Sequence, residues 1–188
     1  LEQGPSPGDQ RFLSIIARNS SRMDRLVHDL LRLVRLDVGQ ETLEVTDCSV
    51  HSVFESVLTE VAPMVEAKQQ RAETIVPEEA ATVRADPVKL HDALRNLVEN
   101  AVNYAPMGSS IELAVTGDDA VTCLTVADRG PGIPPADLIR VFERFYRVED
   151  ARARDHDGGT GLGLAIVKHL VGLHGGTVQA ANREGGGA

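Results

Sequence analysis

Tryptophan is absent from this 188-residue chain, and aromatic residues make up only 3 % of it. The core must therefore be aliphatic, and each of the four Phe and two Tyr stands out as a residue with a reason to be there. Cysteine is nearly absent as well: Cys48 and Cys123 lie far apart and form no Cys-x-x-Cys pair. A disulfide framework is excluded on that count, and both thiols read as small apolar fillers in a reducing compartment. Basic residues are in the minority, 19 against 28 acidic, for a formal net charge of −9. Such a surface repels a phosphate backbone, which rules against sequence-independent nucleic-acid binding. No apolar run reaches membrane-spanning length and no signal peptide is visible, so if the parent protein sits in a membrane these residues belong to its soluble side.

What is present is a chain 42 % hydrophobic, enough for one core and a small extra element. Residues 1–9, with two prolines and two glycines, read as a linker. Residues 10–36 predict one long amphipathic helix with Asp9 as its N-cap and Gly39 as its stop. Phe12, Ile16, Asn19, Met23, Leu26, Leu30 and Leu33 step by fours and threes as a heptad seam. Leu13, Val27 and Val34 widen the stripe to the width of a four-helix bundle. A lone helix cannot bury such a stripe. Either a second copy of the chain covers it, which the seam's length favours, or the helix folds back on its own domain.

Further along, the alternation at Leu43 and Val45 predicts a short strand over 42–46. Ser49 caps a helix reaching about residue 68, which Pro63 should kink or break. Strands follow at 72–76 and 81–84. Asp86-Pro87 is a helix start, with cap and first-turn proline together, and that helix runs to about 104. Strands at 110–116 and 121–127 flank a Gly117-Asp118-Asp119 hairpin turn. Residues 135–146 are helical in part, 147–159 form a charged loop, 161–173 a helix and 176–181 a strand. This mixed order predicts an α+β fold, a two-layer sandwich with helices over one face of a mixed sheet.

Four stretches carry chemistry. In LRNLVENAVNYAP (94–106), Asn96 and Asn100 share one helix face, which Asn103 and Tyr104 extend by a turn. An amide oxygen is a hard, neutral donor suited to Mg²⁺, although two helical asparagines are more often caps or surface residues. Glu99, one residue round the helix, should point outside the same pocket. In DRGPGIP (128–134), Asp128 opens a turn whose Gly130 and Gly132 allow positive φ and close approach of a ligand. In FERFYR (142–147), three aromatics gather beside the charged loop, at spacings that put Phe142 and Phe145 on one helical face. Arg144 and Arg147 flank that loop, and either could reach phosphate, with Arg152 and Arg154 as spares. In GGTGLGLAIVKHLV (158–171), Gly158, Gly159, Gly161 and Gly163 lead into a helix starting near Leu162. Bare backbone N–H groups at such a start bind phosphate, and Thr160 adds a hydroxyl. No Gly-Lys-Ser/Thr follows, so this is not a Walker loop. Lys168 and His169 read as solvent-facing.

In this order the four stretches resemble the ATP-binding catalytic domain of sensor histidine kinases, a branch of the family that includes gyrase, the Hsp90 chaperone and the mismatch-repair ATPase. The resemblance spans about residues 42–188, and the helix at 10–37 resembles the second arm of the kinase dimerisation domain. It implies ATP and Mg²⁺ as ligands, with Asn100 holding the metal, Asn96 positioning the phosphates, Tyr104 beside the base and Asp128 accepting the adenine amino group. It implies transfer of the γ-phosphoryl to a histidine and then to the receiver domain of a response regulator. It also implies a homodimer formed through the N-terminal helix and a membrane-bound bacterial sensor as the parent. The departures matter too. The gyrase branch has a glutamate where Asn96 stands, and an amide is no general base, so rapid hydrolysis is not expected. Asn103 stands where the kinases usually have a basic residue. The acceptor histidine with its acid and Arg-Thr-Pro turn has no counterpart here, because His28 is followed by Asp29-Leu30-Leu31 and reads as a flank of the seam. The family's final strand also has no counterpart. A serine kinase of the anti-sigma type and a non-catalytic nucleotide-binding regulator remain as alternatives.

Overall fold

The computed structural model describes residues 7–37, 41–117, 121–148 and 159–188. Helix α1 runs Pro7–Asp37. It starts ahead of the expected cap, so Asp9 lies in its first turn and residues 7–9 belong to the helix rather than to a linker; proline suits that position because its missing N–H would be unpaired anyway. Strand β1 (Thr46–Ser49) is followed by α2 (Val50–Ala67), β2 (Arg71–Ile75), β3 (Thr82–Ala85) and α3 (Pro87–Tyr104). Then come β4 (Ser110–Gly117), β5 (Thr122–Ala127), a single 3₁₀ turn at Arg140–Phe142 and α4 (Gly163–Leu173). The expected stop at Gly39, the Asp118-Asp119 part of the hairpin, Gly158, Arg152 and Arg154 lie outside the described residues.

The fold is the expected α+β arrangement. β4 is the centre of a three-stranded mixed sheet, parallel to β2 and antiparallel to β5, while β1 and β3 form a separate antiparallel pair. Alternation on β4 sends Ile111, Leu113 and Val115 inward, where they are fully buried. Opposite them in register stand Val126 and Leu124 of β5, packed on the same core. α2 brings Phe54, Val57 and Val61, and α3 brings Leu94, Val98 and Val102, to cover that face. A second, smaller core joins Leu33 of α1 and Ala93 of α3 to Leu162, Ile166 and Leu170.

Capping chemistry sets two of the helix starts. Ser49 accepts the Ser52 N–H at 3.3 Å, and Asp86 accepts those of Val88 and Lys89, each at 3.1 Å. Asp86 is 3 % exposed. Burial pushes its carboxyl up, but the N–H groups of Glu44 and Lys89 and the Lys89 ammonium outweigh that and hold it at about 2.

The strand expected over 42–46 begins only at Thr46. The Glu44 N–H is taken by the Asp86 carboxylate at 3.0 Å, so the ladder starts at the Thr46–Ala85 pair. α2 passes through Pro63 without a break; the apolar face formed by Val50, Val53, Phe54, Val57 and Val61 outweighs one missing N–H. Residues 176–181 join no ladder. Here Gly176 donates back to Val171 O at 3.0 Å to close α4, and Arg183 donates to Gly187 O at 3.0 Å in a loop of its own.

Candidate functional site

α3 carries the asparagines across the top of a wide cleft of about 2280 Å³. Asn96 Nδ2 donates to its own helix at Asp92 O, 2.8 Å, which leaves Oδ1 facing the glycine-rich turn. A Cβ on Gly163 would lie 3.0 Å from that oxygen and 3.8 Å from Asn100 Nδ2. The asparagine side chains and the turn into α4 therefore face each other so closely that a side chain on Gly163 would require Asn96 to give by a few tenths of an ångström. Gly161 is at φ +72, and its carbonyl accepts the Phe145 N–H at 2.8 Å. Phe145 is itself left-handed at φ +62 and 57 % exposed, whereas Phe142 is buried. The two rings thus do not share a helical face, because the only helical piece of that stretch ends at Phe142.

The C-terminal end of α3 is tied down by two side chains that the sequence did not single out. Lys68 Nζ donates to Val102 O (2.8 Å) and Asn103 O (2.6 Å). Gln70 Nε2 lies 3.2 Å from Val102 O and 3.1 Å from both Ala105 O and Pro106 O. These satisfy helix-end carbonyls and place a cation on the negative end of the helix dipole. They also hold the end of α3, where Tyr104 O meets the turn after β5.

That turn begins at Asp128. Its Oδ1 accepts the Gly130 N–H at 2.6 Å, and its own N–H donates to Ala188 O at 2.9 Å. A Cβ on Gly130 would meet Asp128 Oδ1 at 2.7 Å and Tyr104 O at 3.1 Å, so the turn and α3 touch there. Burial raises the Asp128 carboxyl above the usual range, although the N–H groups of Gly130 and Ala188 and the charge of Arg183 pull the other way. Gly132 stands at φ +74. Beside it, Asn182 makes a two-point amide pair with Ile133: Ile133 N donates to Oδ1 and Asn182 Nδ2 donates to Ile133 O, each at 2.7 Å. No sequence signal marks Asn182, since its partner lies 49 residues away.

Asn96, Asn100, Asn103, Tyr104, Asp128, Gly132, Arg147, Gly159, Thr160, Gly161 and Gly163 all border one extended depression, which also runs past β3, β5 and residues 174–183. Three expected residues do not. Gly130 serves the turn from behind, Arg144 is exposed off the cleft, and Leu162 is a fully buried core side chain whose N–H donates to Thr160 Oγ1 at 3.2 Å. Glu99, expected outside, lies on the cleft wall, ion-paired with Arg95 at 3.5 Å. Burial raises its carboxyl despite that pair, and Glu60 and Asp29 add to the rise. Lys168 is exposed as expected, but His169 is only half-exposed, with Nε2 buried. Among the described residues no group of three His, Cys, Asp or Glu converges as a metal site.

Residues 85–188 match the family model of histidine kinase-, DNA gyrase B- and HSP90-like ATPases. The chain belongs to this ATPase family. Within it the chain is an ATP-binding catalytic domain of the histidine kinase branch. It is 37 % identical over 186 residues to the sensor histidine kinase WalK of Bacillus subtilis (strain 168), covering 94 % of this chain and 29 % of WalK. Among solved structures, full-length ShkA in complex with AMPPNP superposes with a TM-score of 0.79 at 26 % identity, covering 98 % of this chain and 38 % of ShkA. The histidine kinase ThkA, solved in complex with the response regulator protein TrrA, shares the fold: TM-score 0.76 at 22 % identity, over 99 % of this chain and 51 % of ThkA. The chain spans 29–43 % of the length of the first curated relatives it matches.

Proposed function

We propose that this chain binds Mg·ATP as the nucleotide-binding half of a sensor histidine kinase. In this reading the phosphates lie between the asparagine ladder and the turn at 159–163, and the base lies between Tyr104 and Asp128. The observation that carries it is the close facing of Asn96 and Gly163, together with the approach of the Asp128 turn to Tyr104 further along the same helix. Asp128 accepts the adenine amino group; guanine presents an oxygen there and would set acceptor against acceptor. Asn100 Oδ1 holds the metal. A neutral amide suits Mg²⁺, which takes most of its ligands from phosphate and water and supplies charge neutralisation. Thr160 and the bare N–H groups of Gly159–Gly163 hold phosphate oxygens, with Arg144 or Arg147 as the flanking cation; Arg147 is favoured because it borders the same depression.

No residue at Asn96 can deprotonate water, so the site keeps ATP for an incoming nucleophile. The acceptor is a histidine on another helix, and the phosphoryl group passes from there to the receiver domain of a response regulator. Residues 10–40, which hold most of α1, are the second arm of the dimerisation domain, and residues 41–188 are the catalytic domain. The WalK match extends over α1 as well, which supports this plan over an anti-sigma serine kinase. No described helix is long and apolar enough to cross a membrane. In the parent sensor this part lies on the cytoplasmic side.

Calorimetric titration with a non-hydrolysable ATP analogue, with and without Mg²⁺, tests the site. Mg²⁺-dependent binding of the adenine but not the guanine analogue is expected, and absence of binding at millimolar nucleotide would refute the reading.

A further inference from the structure

α1 does more than extend from the domain; one of its turns is seated at the phosphate end of the cleft. Leu33 is 2 % exposed in a socket made by Ala93, Leu162, Ile166 and Leu170, and Leu26 packs beside it. Arg32 pairs with Asp92, the residue whose carbonyl orients Asn96. One turn back along α1, Asp29 Oδ2 accepts the Thr160 hydroxyl at 2.9 Å. Thr160 Oγ1 in turn accepts the Leu162 N–H. The hydroxyl expected to serve phosphate is thus occupied on both sides, and a carboxylate stands where an anion would come. Asp24, Arg25, His28 and Asp29 line the same cleft as Asn96, Asn100 and Gly161. Of the cations nearby, Arg32 is held by Asp92 and Arg95 by Glu60 and Glu99, while Arg25 and Arg147 line the same cleft as Asp29.

We propose that Asp29 is a residue of the nucleotide site, contributed by α1, that sets the affinity for triphosphate by opposing it. This rests on the nucleotide reading above. A triphosphate on the 159–163 turn brings negative charge against Asp29 and competes for Thr160, so helix docking and nucleotide binding weaken each other. By linkage the effect is reciprocal: whatever the docked helix costs the nucleotide, the nucleotide costs the docked helix. Undocking returns Leu26 and Leu33 to the seam formed by Phe12, Ile16, Met23 and Leu30, which are exposed. The complete stripe is therefore presented only by the undocked helix, the form that nucleotide favours.

The test compares the full chain with D29N, which keeps an acceptor oxygen and removes the charge. AMPPNP with Mg²⁺ is titrated by calorimetry at low and high salt, and amide hydrogen exchange of residues 29–33 is followed with and without nucleotide. Binding about fivefold tighter in D29N is expected, with the gap narrowing at high salt, and nucleotide should speed exchange of residues 29–33 in the unaltered chain. Equal affinities would overturn the proposal and leave the nucleotide site standing. Weaker binding by D29N only when Mg²⁺ is present would also overturn it, by making Asp29 a helper of the metal. No binding by either protein would refute the nucleotide reading itself, and the proposal with it.

Discussion

Gly163 faces Asn96 so closely that a methyl group on it would sit 3.0 Å from the Asn96 amide oxygen. That separation sets how closely α3 and the start of α4 approach each other. In Gly163→Ala the neighbour must move by a few tenths of an ångström, while the helix itself gains from alanine by up to about 1 kcal/mol. The expected outcome is an unchanged or slightly raised melting temperature with AMPPNP affinity reduced about tenfold, or about 1.4 kcal/mol. Calorimetry and thermal melts on the same samples separate the two effects.

Asn100→Ala should abolish the Mg²⁺-dependent part of nucleotide binding and spare the metal-free part. Titration in EDTA and in Mg²⁺ distinguishes them. Equal loss in both conditions would assign Asn100 to the nucleotide rather than to the metal.

Adenine recognition should fail on acidification earlier than an ordinary aspartate would allow. Burial raises the Asp128 carboxyl, and the protonated form gives up acceptor capacity to its own proton. Affinity is therefore full above the raised value and falls as pH drops through it. Asp128→Asn, which cannot titrate, should bind weakly at every pH, by about 2 kcal/mol less than the unaltered chain at neutral pH. A pH series of analogue titrations reads both.

Asp86 should be an acid-sensitive anchor of the fold. Its carboxyl, held at about 2 against an ordinary 3.8, contributes about 2 kcal/mol. The sign follows from a depressed value: the contribution is complete above the ordinary carboxylate range and is lost as pH falls towards about 2. Urea denaturation of Asp86→Asn should show the deficit at pH 7, and the gap from the unaltered chain should close progressively below pH of about 4.

Asn182→Ala removes both hydrogen bonds to Ile133 while leaving the core intact. Faster amide exchange at Ile133 and weaker binding of the adenosine moiety are expected, with little change in melting temperature. Unaltered exchange there would show that Gly132 and its neighbours keep their turn without help.

What short-range chemistry controls was legible in the sequence. Ser49 and Asp86 start their helices because a side-chain oxygen reaches N–H groups two or three residues on. The β4 alternation and the one-sided asparagine ladder of α3 follow from the periods of strand and helix. The glycine turn into α4 was equally visible, because bare backbone before an apolar period has few other uses.

What only the tertiary structure decided depends on groups brought together from far along the chain. Asp86 takes the Glu44 N–H across 42 residues and so delays β1. Asn182 clamps Ile133 across 49 residues, and Asp29 meets Thr160 across 131. Phe145 leaves its helical neighbour because Gly161, from a distant loop, supplies the carbonyl its N–H needs. A period or a cap is specified by residues a few positions apart. A pairing between loops and helix faces exists only once the packed core has set the distance between them, so it leaves no mark on either stretch alone.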